Sequence, residues 1–142
     1  MNTSQINKMK LLAVIFYLSF FVSIQAFCGE NEKNLAIDAI TSVTKGIVNG
    51  EHFPEYAVDG KIDINHYLES SLPCVFQVDL GETKQIDSIR IFPYWNDEDK
   101  RSYQYFIELS DDAENWQIVA DTSKNKTPET KEGTVYKFNS EK

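Results

Sequence analysis

The chain predicts an all-β fold, an antiparallel β-sandwich, and three observations carry that prediction. Residues 74–80, 86–92 and 103–110 each alternate apolar and polar side chains, the period of a strand with one buried face. Turn formers separate these runs, with Gly81 closing the first and the stretch 111–115 following the third. Beyond residue 26 no segment carries a helical apolar stripe. Strands spaced by turns with almost no helix make a sandwich or barrel, and the simple alternation fits a jelly-roll β-sandwich.

Taken in order, residues 1–26 read as a removable leader. Lys8 and Lys10 give a basic start, residues 11–24 are a short apolar run, and Ile24, Gln25 and Ala26 form a small-residue cleavage site. An uncleaved membrane anchor is the other reading, because residues 11–27 approach the length of a bilayer span. A lipid-anchored Cys28 fits poorly after the bulky Phe27. Residues 27–33 form a short polar leader to a domain over 34–142.

Within that domain residues 34–43 are a weak strand, with Ile40, Thr41 and Val43 favouring extended backbone. From 45 to 65 Gly46, Asn49, Gly50, Pro54, Asp59 and Gly60 mark a long irregular connection. Residues 54–58 can form one helical turn opened by Pro54. The three strong strands follow, and Trp116 opens a further one as a core residue. Residues 121–133 are polar and read as a surface loop before an alternating strand over 134–138.

Composition narrows the function classes. The chain has 14 basic and 22 acidic residues, and removal of residues 1–26 takes away only Lys8 and Lys10, leaving 12 against 22 and a formal charge of −10. Such a surface repels nucleic acid and anionic lipid, and no basic patch offsets it. The remaining 116 residues suffice for one domain. Cys28 and Cys74 permit one bridge in an oxidising compartment, or else one buried and one exposed thiol. There is no His-Glu-x-x-His, no Cys-x-x-Cys, no Gly-x-Ser-x-Gly and no phosphate-cradling glycine loop. The acidic run 97–99 is a solvated loop rather than a glycosidase pair.

Four segments, in order, resemble the factor V/VIII type C (discoidin) domains. They are Asn34, Leu35 and Ala36; then Ala57, Val58, Asp59 and Gly60; then residues 76–81, Phe-Gln-Val-Asp-Leu-Gly; then residues 110–116, Ser-Asp-Asp-Ala-Glu-Asn-Trp. The resemblance implies a galactose-binding-like β-sandwich that binds ligands and catalyses nothing. Its bacterial members are often carbohydrate-binding modules of glycan-degrading enzymes, and its animal members include lectins and phospholipid binders. Two departures stand out. The chain stops at Lys142 before the family's last core strand, which implies a C-terminally incomplete domain or a strand supplied by a partner. Ala113 replaces the turn glycine, so Asp112 or Asn115 is expected to take any left-handed conformation there.

The resemblance also implies a structural calcium ion, for which Asp59 and Asp63 are the metal candidates, with Asn65 adding oxygen. Ile64 stands where the family usually has Thr, and an ordinary Asp-Gly turn is the alternative. Ligands bind at loops at one end of such a scaffold, here 45–56, 61–72, 93–102 and 121–133. Sugar recognition needs a flat aromatic face and planar polar groups. Tyr94, Trp95 and Arg101 supply both within eight residues, and His52 adds an imidazole. Each has a plainer role: Trp95 can bury its ring on the sandwich, Arg101 can pair with Asp97 or Asp99, and Tyr67 reads as packing.

The resulting expectation is a secreted, extracellular or periplasmic, non-catalytic carbohydrate-binding domain with a galactose-like ligand and no membrane insertion after cleavage. The alternatives are an adhesion module that contacts a protein or cell-surface glycoprotein, and the targeting domain of a larger glycan-degrading enzyme.

Overall fold

The computed structural model describes residues 8–16, 20–28, 33–63, 66–95, 98 and 100–138, and for 8–16, 20–23 and 28 the backbone only. Ten strands appear in chain order: β1 Lys8–Phe16, β2 Phe20–Cys28, β3 Lys33–Asn34, β4 Ile40–Lys45, β5 Leu68–Ser70, β6 Cys74–Gln85, β7 Ser88–Pro93, β8 Tyr105–Ser110, β9 Gln117–Asp121 and β10 Thr134–Lys137. A 3-10 turn, Pro54–Ala57, begins on its proline as the sequence anticipates. One sheet has the order β4-β6-β1-β8-β9; the other runs β10-β7-β2-β3, with β5 also paired to β2. Among the described residues every strand pairing is antiparallel. This is the expected antiparallel β-sandwich.

Alternation decides which residues fill the space between the sheets. Cys74, Phe76, Val78 and Leu80 of β6 point inward, as do Ile89 and Ile91 of β7 and Tyr105, Ile107 and Leu109 of β8. Phe76 is fully buried, so truncating it to Ala would cost about 3–5 kcal/mol. Leu68, Ala57 and Val58 seal the loop end of the core.

The N-terminal segment has a central place. β1 pairs with β6 on one side and β8 on the other, Phe16 facing both Cys74 and Tyr105. β2 lies inside the other sheet, where Ile24 and Ala26 join the core. A short apolar run is the signature of a leader and of a strand in a sheet interior alike, and periodicity does not separate them. In this fold the residues read as a leader supply an interior strand to each sheet, β1 between β6 and β8 and β2 between β7 and β3.

Other elements shift modestly. Residues 34–39 form the end of β3 and a turn, so the weak strand begins only at Ile40. β6 continues past Gly81 to Gln85. Cys74 is a buried free thiol whose pKa burial pushes up. It opens β6 at the loop end, whereas Cys28 closes β2 at the far end, where it faces Lys33; the bridge considered from sequence has no geometry here. Among the described residues no helix is long and apolar enough to cross a membrane.

Candidate functional site

Strand register gathers the connections at one end. Lys45 of β4 faces Val75 and Phe16 of β1 faces Cys74, while Phe106 faces Asp121, Phe20 faces Ser70 and Thr134 faces Ile91. Residues 46–52, 71–73, 94–95, 100–104 and 122–133 therefore stand at the same edge of the sandwich. The two sheets are laced together there: Ser71 N–H donates to Ile47 O at 2.9 Å, and Val48 bridges Ser70. Gly46 permits this approach. At φ 104° it sits where a Cβ would come within 2.6 Å of Ser70 Oγ and 2.7 Å of Ser71 O.

Two groups of side chains stand on this end. In the first, the His52 and Tyr67 rings stack with centroids 4.0 Å apart, and the Tyr67 hydroxyl lies 3.0 Å from His52 Nε2. Glu69 brings a carboxylate oxygen to 3.8 Å from the same nitrogen. His66 and Tyr56 extend the patch with ring centroids 5.0 Å apart, and Phe53 meets Tyr56 edge-on at 5.7 Å. The Nδ1 atoms of His52 and His66 are buried with no hydrogen-bond partner among the described residues.

In the second group, the Arg101 guanidinium lies over the Tyr94 ring, 5.6 Å from its centroid. Burial raises the Tyr67 phenol pKa first, and the neighbouring Glu69 and Tyr94 raise it further. Together they present a ring-lined surface carrying a guanidinium, a carboxylate and an imidazole. Those are the donor and acceptor types that hydroxyl pairs and a sugar's apolar face require.

The expected site residues are thus placed unevenly. Tyr94 and Arg101 come together, and His52 joins through Tyr67. Trp95 follows Tyr94 and is half-buried. Asp97 and Asp99, offered as partners of Arg101, lie outside the described residues. Tyr67, read as a packing residue, is half-buried and stacks on His52, and Glu69 was not singled out; the pairing of β5 with β2 that positions Glu69 is not revealed by local spacing. Trp116 is half-buried on its turn, its indole N–H donating to Ala113 O at 3.2 Å, rather than in the core.

The calcium candidates make contacts within the chain. Asp59 Oδ1 accepts the Lys61 N–H at 2.8 Å, and its Oδ2 lies 3.5 Å from the Lys61 ammonium, so this carboxylate already closes a turn with its own cation. Asp63 bridges His66, while Ile64 and Asn65 lie outside the described residues. Among the described residues no three His, Cys, Asp or Glu side chains gather as a metal site.

Comparison with known proteins returns one family. No curated protein and no solved structure matches the chain. The family model described as NedA-like, galactose-binding domain, of the factor V/VIII type C group, matches residues 56–141, a span that contains Tyr67, Glu69, Tyr94 and Arg101. The matched span covers more than half of the 142 residues and ends on the same antiparallel sandwich that the strand pattern predicts, so the chain belongs to the NedA-like galactose-binding domains.

Proposed function

We propose that the protein is a non-catalytic carbohydrate-binding domain that recognises a galactose-like terminal sugar through its loop end. Membership of a galactose-binding family supports carbohydrate recognition in general, and the observation that carries the finer reading is Arg101 over Tyr94 beside the Tyr67, His52 and Glu69 group. The rings offer stacking faces, the guanidinium donates to vicinal hydroxyls, and Glu69 accepts from them. A small loop site of this kind binds at modest affinity, about millimolar to micromolar. The test is a galactose titration of the protein and of the Tyr94→Ala, Arg101→Ala double variant. Binding that disappears with an unchanged β-rich circular dichroism spectrum supports the reading; equal binding by the double variant removes it.

A protein-contacting role is the second reading, and exposed apolar side chains favour it. Ile47 is 76% exposed and Phe53 47% exposed on the same edge. Free monosaccharide at about millimolar concentration displaces a sugar-bound partner and leaves a purely protein-bound one in place. Export is part of the proposal, supported by the leader-like residues 1–26. Because 8–16 and 20–26 also form sheet interior, an exported form without them needs the strand between β6 and β8 from elsewhere.

A further inference from the structure

The connection 122–133 between β9 and β10 is built, not loose. Asn125 anchors it: its Nδ2 donates to Tyr103 O at 3.3 Å, its Oδ1 accepts the Thr127 N–H at 2.9 Å, and its backbone O accepts Gln104 Nε2 at 2.6 Å. Glu129 N–H donates to Arg101 O at 2.8 Å, and Thr122 Oγ1 exchanges hydrogen bonds with the Tyr105 backbone at 2.9 and 3.0 Å. Between this loop and the two strands lies an open cavity of about 480 Å³, the size of a small-ligand site, lined by Asp121, Lys124, Asn125, Glu129, Thr134 and Tyr136 among others.

Its chemistry is unlike that of the ring-lined patch. Its lining residues bring the Thr122, Thr127, Thr134 and Tyr136 hydroxyls, the Asn125 carboxamide, the exposed Asp121 and Lys124, and one half-buried carboxylate, Glu129. One of its oxygens accepts the Thr134 hydroxyl at 3.1 Å. Among the described residues no Lys, Arg or His nitrogen comes within ion-pair distance of it. Burial pushes its pKa up, against the smaller opposing effect of the Thr134 hydroxyl. Tyr136, hydrogen-bonded to Tyr105 at 2.7 Å between hydroxyls, also senses the Glu129 charge. A carboxylate kept partly from water without a counter-charge is costly, and a cationic group in the cavity offsets that cost.

We propose that this cavity is a second ligand site, taking a protonated amino sugar with its ammonium against Glu129 and its hydroxyls toward Thr134, Asn125 and Tyr136. The site shares no side chain with the Tyr94 and Arg101 group, so it stands or falls separately from the galactose reading.

The experiment is a titration of the ¹⁵N-labelled protein with galactosamine, N-acetylgalactosamine and galactose, each to about 50 mM, in the range where a millimolar Kd saturates. Galactosamine is expected to shift the Asn125, Glu129 and Gly133 amides saturably. N-acetylgalactosamine, which lacks the charge, should leave them in place, and Glu129→Gln should weaken galactosamine about tenfold or more. The dispersion of the same spectra reports whether the variant is folded. Equal shifts from the charged and acetylated sugars would overturn the proposal without needing the variant. So would galactosamine shifts confined to Tyr94 and Arg101, or no saturable galactosamine shift at Asn125, Glu129 and Gly133; galactose shifts at Tyr94 and Arg101 in the same series report on the first site separately.

Discussion

Replacing Ala113 by Gly should stabilise the protein, although it removes a side-chain atom. Ala113 has φ 65°, in the left-handed region, and is exposed. The surrounding turn holds it there. Ser110 Oγ accepts the Ala113 N–H at 2.9 Å, and Asp112 Oδ1 accepts the Glu114 and Asn115 N–H groups at 2.8 and 2.7 Å. A left-handed alanine costs about 1–2 kcal/mol, and glycine returns roughly 0.4–1 kcal/mol of that through the freer unfolded chain. The net gain is about 0.5–1 kcal/mol. With about 2.1 cal/mol/K of unfolding entropy per residue over 142 residues, Tm should rise by about 2–3 °C. Gly81→Ala is the mirror experiment: φ is 80° and a Cβ would meet nothing within 4 Å, so strain acts alone and Tm should fall by a similar amount. Both are read by calorimetry under reversible conditions. If Gly81→Ala falls as expected while Ala113→Gly leaves Tm unchanged or lowers it, the left-handed residue of the 111–115 turn is not Ala113 and the reasoning fails.

Three further predictions follow from the same geometry. Asp112 is held well below the usual carboxylate range, first by the Asn115 N–H, then by the Asn115 side chain and the Glu114 N–H. A depressed folded-state pKa adds stability above the unfolded value of about 3.9 and loses it as pH falls toward the folded value, so Asp112→Asn should be less stable at pH 7 and show a shallower loss of Tm below about pH 4. A parallel acid slope in the variant would contradict this. Because Asp59 carries the Lys61 ammonium, EDTA should change Tm by less than about 1 °C; a calcium-dependent rise of several degrees would place an ion at Asp59 and Asp63. A form beginning at Phe27 loses the partner of both β6 and β8 and should melt at much lower temperature or aggregate. A cooperative transition at the full chain's Tm would contradict the central position of β1.

Much of the sandwich was legible because β6, β7 and β8 alternate, and alternation is a local property. The same property left residues 8–28 ambiguous, since an apolar run of this length serves a leader or a sheet interior equally. Ala113 was misread because residue preference favours Asp or Asn in the left-handed region, whereas the Asp112 carboxylate is engaged with the two amides that follow. At the site, Tyr94 and Arg101 could be found by type and proximity in the chain. The stacking of His52 on Tyr67 could not: those residues lie 15 positions apart, and the pairing of β5 with β2 that positions the neighbouring Glu69 is long-range.

The most direct test of the central claim is the galactose titration, followed residue by residue through amide shifts. The account predicts saturable shifts centred on His52, Tyr67, Glu69, Tyr94 and Arg101, lost in the Tyr94→Ala, Arg101→Ala variant. Shifts that avoid these residues, or that persist in the double variant, would contradict it.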